Sequence, residues 1–289
     1  MEKKLLNKIC SELELIRLAL EKLSPEKPNE PLWDNTNAYL WNSEVKLFTE
    51  INEVNRIPIK LLKGIDSNIK ILQENTKQFS KKLPANNALL WGSRGMGKSS
   101  IIKAIHHEIN LTEKNTLKLI EIHREDIADL PIILGYLKKY SDYSFIVFCD
   151  DLSFDGDDTT YKSLKAALEG GLEGKPKNVI FYATSNRRHL MPRDMIENES
   201  SSAINPSESV EEKVSLSDRF GLWIGFHNCS QSDYLNMIES YAEHYNIRID
   251  KKDLNKLAIA WAAGRGARSG RVAWQFINNI AGQNSIELD

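Results

Sequence analysis

The chain has 289 residues, of which 41% are hydrophobic and 27% charged, a composition that fits a folded protein of about two domains. Its net charge of −2 excludes a global basic field for nucleic acid and leaves only a local patch open. No apolar run of about 18 residues occurs, so no membrane span is predicted, and Met1-Glu2-Lys3-Lys4 leads into interrupted leucines and not into a signal peptide.

Over residues 1–24, Leu6, Ile9, Leu13, Ile16, Leu20 and Leu23 recur at alternating spacings of three and four, which predicts an amphipathic helix ending near Ser24-Pro25. Such a seam serves a short coiled coil or partner helix, or docks on its own domain, and the pattern favours neither. Residues 25–31 are proline-rich and read as a linker. Over 32–60, Tyr39, Leu40, Trp41, Leu47, Phe48 and Ile51 suggest short helices covering a core, an N-terminal helical extension. Ile69, Leu72, Phe79 and Leu83 mark a helix that starts near Asp66-Ser67 and is ended by Pro84.

The centre of the chain alternates. Apolar strand candidates lie at 88–91, 117–122, 145–149, 179–183 and 222–226, with helical stretches near 100–110, 127–140 and 159–172. This order predicts an α/β fold with a parallel sheet between helices. Residues 200–209 are polar and serine-rich, a predicted surface loop. After Phe226 only helices are expected, near 231–245, 251–263 and 268–281, forming a small second domain. Cys10, Cys149 and Cys229 are far apart and form no C-x-x-C pair. They suit reduced thiols, and a cytoplasmic protein is expected.

Gly92-Ser93-Arg94-Gly95-Met96-Gly97-Lys98-Ser99 fits the phosphate-loop pattern G-x-x-x-x-G-K-[ST]. A predicted strand precedes it and a helix beginning around Ser100 follows, the context the pattern requires. The glycines let backbone N–H groups turn inward around phosphate oxygens, aided by the helix N-terminus. Lys98 then reaches the outer phosphates, and the Ser99 hydroxyl is a Mg²⁺ ligand. The apolar run Phe145-Ile146-Val147-Phe148-Cys149 ends in Asp150 and Asp151. A buried strand would deliver Asp150 to the sheet edge beside Mg²⁺, leaving Asp151 to polarise an attacking water. The strand candidate at 117–122 lies between loop and carboxylates in sequence, which suggests a strand inserted between the two motif-bearing strands.

Weaker signals surround this pair. Thr184-Ser185-Asn186 follows another predicted strand and suits either a water-holding group or a capping turn. Arg219 precedes the last strand, and Arg268 and Arg271 begin the last helix, where a guanidinium can meet phosphate or simply be solvated. Asp151 to Lys162 imitates the start of a calcium loop but places a lysine where glutamate is needed. Ser100-Ile101-Ile102-Lys103 matches S-x-x-K without its companion motifs. The histidines lack zinc spacing.

Together these residues, from about 61 to 282, resemble the AAA+ ATPase superfamily. Gly92–Ser99 resembles Walker A, and Ile146–Asp151 resembles Walker B. Asn186 resembles sensor 1, Arg219 the arginine finger, and Arg268 (alternatively Arg271) sensor 2. The strings Leu90-Trp91-Gly92-Ser93-Arg94-Gly95, Phe148-Cys149-Asp150-Asp151-Leu152-Ser153-Phe154 and Ala183-Thr184-Ser185-Asn186-Arg187-Arg188-His189-Leu190 are similar to those of one bacterial group, the domain-of-unknown-function family 815. So is Ser215-Leu216-Ser217-Asp218-Arg219-Phe220-Gly221-Leu222-Trp223. Leu62-Lys63-Gly64-Ile65-Asp66 resembles the group's segment before Walker A, which implies that Ile65 lies against adenine.

The resemblance implies a five-stranded parallel sheet over 61–228 and a helical lid over 229–289, holding ATP and Mg²⁺ between them. It also implies hydrolysis coupled to nucleotide-dependent homo-oligomers that remodel a protein client. One departure matters: Walker B most often ends Asp-Glu, and here it ends Asp150-Asp151. The shorter side chain favours slow turnover, so a nucleotide-gated binding module resembling helicase loaders is the alternative. Arg187, Arg188, Arg193 and the Arg265–Arg271 cluster leave nucleic-acid binding as a third reading.

Overall fold

The computed structural model describes residues 12–14, 17, 31–112, 116–154, 160–170, 174–190 and 216–288. The predicted N-terminal helix and linker lie mostly outside them, as do Cys10, Arg193 and the 200–209 segment.

Strands β1 (Ala38–Asn42) and β2 (Leu47–Ile51) come first, followed by a 3₁₀ turn at Ile59–Leu61 and helix α1 (Asp66–Ser80). Then β3 (Ala88–Gly92), α2 (Lys98–Thr112) and β4 (Leu117–Ile122) alternate. A 3₁₀ turn (Arg124–Asp129) leads into α3 (Leu130–Leu137), β5 (Ser144–Cys149), α4 (Tyr161–Glu169), β6 (Val179–Ser185) and β7 (Leu222–Phe226). Helices α5 (Gln231–His244), α6 (Lys251–Arg265) and α7 (Gly270–Gln283) close the order.

The sheet runs β2-β1-β4-β5-β6-β3-β7. Among the described residues only the β1–β2 pair is antiparallel. It therefore has seven strands where five were expected, although the five parallel strands β4-β5-β6-β3-β7 are all present. The extra two correct the expectation of short helices over 32–60. Tyr39 and Trp41 alternate with less demanding neighbours, the period of a strand. Asn42 Oδ1 accepts the N–H groups of Glu44 (3.0 Å) and Val45 (3.3 Å), and Lys46 takes φ +54°, so the chain reverses into β2. Trp33 then packs edge-on against Tyr39 and Phe145, at 4.6 and 4.8 Å between centroids.

A strand does lie between the two motif-bearing strands, but it is not the one at 117–122. The strand lying between β3 and β5 in space is β6; β4 lies on the far side of β5.

Every residue of β5 is buried, because a central parallel strand is covered on both faces. Ile146 and Phe148 join a core shared with α1, α2 and the C-terminal helices. Phe145, Val147 and Cys149 point into the opposite core, shared with α3 and α4. The C-terminal helices start on side-chain caps: Ser230, Asp250 and Ser269 accept the N–H of Asp233, Lys252 and Val272 respectively. Gly266, at φ +64°, ends α6 in the left-handed conformation.

Lys118 is fully buried in β4 and ties the segment leading into β1 to the sheet, donating to Thr36 O (2.9 Å) and Asn37 Oδ1 (2.7 Å). Burial lowers its pKa to about 8, with Asp34 opposing. The unfolded chain holds that proton to about 10.4, so the folded state binds fewer protons in between, and this contribution makes stability rise with pH there. Lys118→Met is expected to remove that rise. Urea unfolding of both proteins at about pH 8 and about pH 10 tests it, and an unchanged slope in the variant would refute the assignment.

Candidate functional site

The glycine loop leaves β3 at Gly92, whose φ is +124°. A Cβ there would lie 2.1 Å from Phe226 O, so β7 leaves room for glycine only. Ser93 N–H donates to the same carbonyl at 2.8 Å. Gly95, at φ +73°, sits against the start of α7: a Cβ would meet Arg271 Cβ at 2.9 Å, and Arg271 N–H donates to Gly95 O at 3.1 Å. The loop is thus in direct contact with the last helix.

Lys98 opens α2 and is buried. Its ammonium donates to Gly92 O (2.9 Å), Ser93 O (2.9 Å) and Asn186 Oδ1 (3.1 Å), which uses all three N–H groups. Desolvation lowers its pKa, while Asp150 and Asp151 act in the opposite sense. The carbonyls of Gly92 and Ser93 therefore hold the lysine beneath the loop.

The C-terminal ends of β3, β5 and β6 meet at one edge, because Cys149 pairs with Ala183 and Leu90 with Thr184. Asp150 leaves β5 there, and its Oδ1 accepts the hydroxyls of Ser99 and Thr184, each at 2.5 Å. Asp151 takes φ +52°, the left-handed region that aspartate enters more readily than most residues. Its Oδ1 accepts an N–H from the Asn186 side chain. Asn186 bridges two charges: its amide oxygen faces Lys98 and its amide nitrogen faces Asp151. That arrangement fixes the orientation of the amide.

These groups line a cleft of about 450 Å³, the size of a small-molecule site. One end is the loop from Arg94 to Ser100 with Asp150, Asp151 and Asn186. The other is apolar, with Ile65 and Leu62 before α1 facing Met237, Tyr241 and Trp274 from α5 and α7. The Tyr241 and Trp274 rings are 5.4 Å apart.

The family described as "Protein of unknown function (DUF815)" matches residues 34–284. The chain belongs to this family. No curated protein matches it. Among solved structures, this DUF815 chain is similar to the Aeropyrum pernix ORC1 protein in complex with DNA, with TM-score 0.54 and 16% identity over 79% of this chain and 63% of that one. It is similar to the Aeropyrum pernix ORC2 protein in ADPNP–ADP complexes, with TM-score 0.51 and 12% identity over 79% and 70%. A Thermotoga maritima RuvB mutant gives TM-score 0.50 and 14% identity over 74% and 60%. At these identities the likeness is one of fold alone. The DUF815 chain spans 60–70% of the length of these three.

The structure brings Ile65, Arg94, Gly95, Met96, Gly97, Lys98, Ser99, Ser100, Asp150, Asp151 and Asn186 to one cleft. Gly92 and Ser93 lie just beneath it and hold Lys98. Arg268 does not line the cleft. Its guanidinium donates to Gln231 Oε1 at 3.1 Å, and Arg271, three residues on and inside α7, lines the cleft instead. Arg219 is also outside, paired with Glu169. Thr184 was legible only as a polar residue after a strand, and its part in the site depends on strand register. Met237 and Tyr241 carried one signal, an i, i+4 pair on a predicted helix, which reads as ordinary core.

Proposed function

We propose that this DUF815 chain binds ATP with Mg²⁺ in the cleft, hydrolyses it, and uses the cycle to change contacts between copies and remodel a protein partner. The observation that carries this reading is the connected set Lys98–Asn186–Asp151 and Ser99–Asp150–Thr184 beside a glycine loop. Backbone N–H groups of the loop and the start of α2 would cradle the phosphates. Lys98 would exchange carbonyl partners for phosphate oxygens. The apolar end, with Ile65, Tyr241 and Trp274, would take the adenine.

The residues present fit Mg²⁺. Ser99 Oγ and Asp150 Oδ1 are hard oxygen donors 2.5 Å apart, close enough to share one ion's shell, and one hydroxyl with one carboxylate is a usual protein share beside phosphates and water. When bound, the ion would neutralise charge developing on the outer phosphates. Asp151 would accept the proton of the attacking water, with Asn186 steering both that carboxylate and Lys98. The C-terminal helices would act as the lid, since α7 touches the glycine loop and Arg271 reaches the cleft. The domains would then be 61–228 for nucleotide binding and 229–289 for the lid.

Asp151 itself supports the second reading, a switch with little hydrolysis. It is one methylene shorter than glutamate, and Asn186 already occupies its Oδ1. A steady-state rate with and without a client separates the two.

Exchanging the carboxylates one at a time tests the site. Asp151→Asn is expected to keep Mg·ATP binding and lose hydrolysis, because an amide cannot accept the proton. Asp150→Asn is expected to weaken binding and its Mg²⁺ dependence together. Wild-type turnover in both would move the active site elsewhere. The Asp151→Asn protein, held in its ATP state, also suits capture of the client.

A further inference from the structure

Thr184 makes three contacts to three consecutive residues at the end of β5. Its hydroxyl donates to Asp150 Oδ1 at 2.5 Å and accepts the Asp151 N–H at 2.9 Å, and its carbonyl accepts the Leu152 N–H at 2.7 Å. Regular pairing between β5 and β6 ends one residue earlier, at Cys149 and Ala183. Beyond that point the left-handed turn at Asp151 takes its N–H out of the ladder. In this part-buried turn an N–H without an acceptor costs up to about 1–3 kcal/mol, and the threonine hydroxyl supplies the acceptor.

We propose that Thr184 is the positioning residue that locks Asp150 and Asp151 into one rigid unit. The inference rests on the proposed nucleotide site for its consequence, although the three contacts stand without it. A hydroxyl has one proton and two lone pairs, so it can serve a carboxylate and an N–H at once. Among side chains of this size only the threonine and serine hydroxyls do both. β-branching restricts its χ1, and Thr184 is 1% exposed, so neither the rotamer nor solvent loosens the tie. The spacing of metal-side and water-side carboxylates is thereby set by a residue that need not touch the substrate.

Valine and serine at this position separate the hydroxyl from the packing. Thr184→Val keeps the shape, gives Asp150 one donor fewer and leaves the Asp151 N–H without its acceptor. In full-length protein without nucleotide, hydrogen exchange over residues 150–152 is expected to speed up in Thr184→Val and to return toward wild type in Thr184→Ser. With Mg·ATP, Thr184→Val is expected to lower kcat about tenfold or more and to raise the Mg²⁺ concentration for half-maximal rate. Nucleotide affinity without Mg²⁺ is expected to stay unchanged, and Thr184→Ser to recover most of both losses. Wild-type exchange in Thr184→Val, or serine as damaging as valine, would overturn the tether. Faster exchange with unaltered kcat and Mg²⁺ dependence would overturn the catalytic role. A wild-type protein that neither binds nor hydrolyses ATP would instead defeat the nucleotide reading, and the exchange measurement would still decide the tether.

Discussion

Replacing Lys98 by alanine is expected to lower ATP affinity at least about tenfold, because charge-assisted hydrogen bonds contribute about 1.5–3 kcal/mol. The ammonium lies under the loop, held by Gly92 O and Ser93 O, within 3.1 Å of Asn186 Oδ1. It thus has two functions to lose. It would no longer meet phosphate, and it would no longer hold together the two carbonyls that shape the loop from below. Desolvation already disfavours its charge, and a bound phosphate would compensate that cost directly. Calorimetric titration of the folded variant with ATP measures the effect. Unchanged affinity would end the phosphate-loop assignment, whereas lost affinity with a lower melting temperature would show that the carbonyl contacts matter to the fold as well.

The parts of this fold legible in sequence are those written in local chemistry. A fully buried strand ending in two carboxylates, Phe145 to Asp151, announces itself because burial on both faces forces a continuous apolar run. The C-terminal helices are legible because Ser230, Asp250 and Ser269 cap them and Gly266 ends one. The hairpin reads as helices in sequence because Tyr39, Leu40 and Trp41 are all apolar, and their alternation shows only in burial. Its identity as an added pair of strands rests on the parallel pairing of Ala38–Leu40 with Leu119–Glu121 of β4, far away in the chain. Tertiary packing overrode a weak local signal.

At the site the same division holds. The glycine loop and Asp150 follow from motif and strand, since each needs only its own segment. The choice between Arg268 and Arg271 does not, because sequence sets both at the start of one expected helix, whereas in the structure Arg268 precedes the Ser269 cap and Arg271 lies inside α7 against Gly95. Thr184 is similar: a threonine after a strand is common, and its value here comes from the register of β6 against β5.

Arg219 carries the largest expected effect of all and bears on whether one chain suffices. Within the chain its Nε and Nη2 both lie 2.6 Å from Glu169 Oε1, and it is not among the residues lining its own cleft. A partly exposed ion pair of this kind is worth at most about 1 kcal/mol. Giving up the Glu169 pair for a neighbour's γ-phosphate would therefore lose little from that pair, whereas an arginine that fully stabilises phosphoryl transfer contributes about 10³–10⁵ in rate. Arg219→Ala is accordingly expected to leave ATP binding to the isolated chain nearly unchanged and to abolish most hydrolysis. A residue acting in trans also makes the rate per chain rise with protein concentration until assembly saturates. Mixing Arg219→Ala with Asp151→Asn is expected to restore part of the activity, because one interface then joins an intact Asp151 to an intact Arg219. An arginine that merely holds Glu169 predicts the opposite on each count: no loss of rate, no concentration dependence and no rescue. Hydrolysis per chain that stays constant on dilution, with no oligomer detectable when ATP is bound, would rule out action in trans and confine Arg219 to its ion pair.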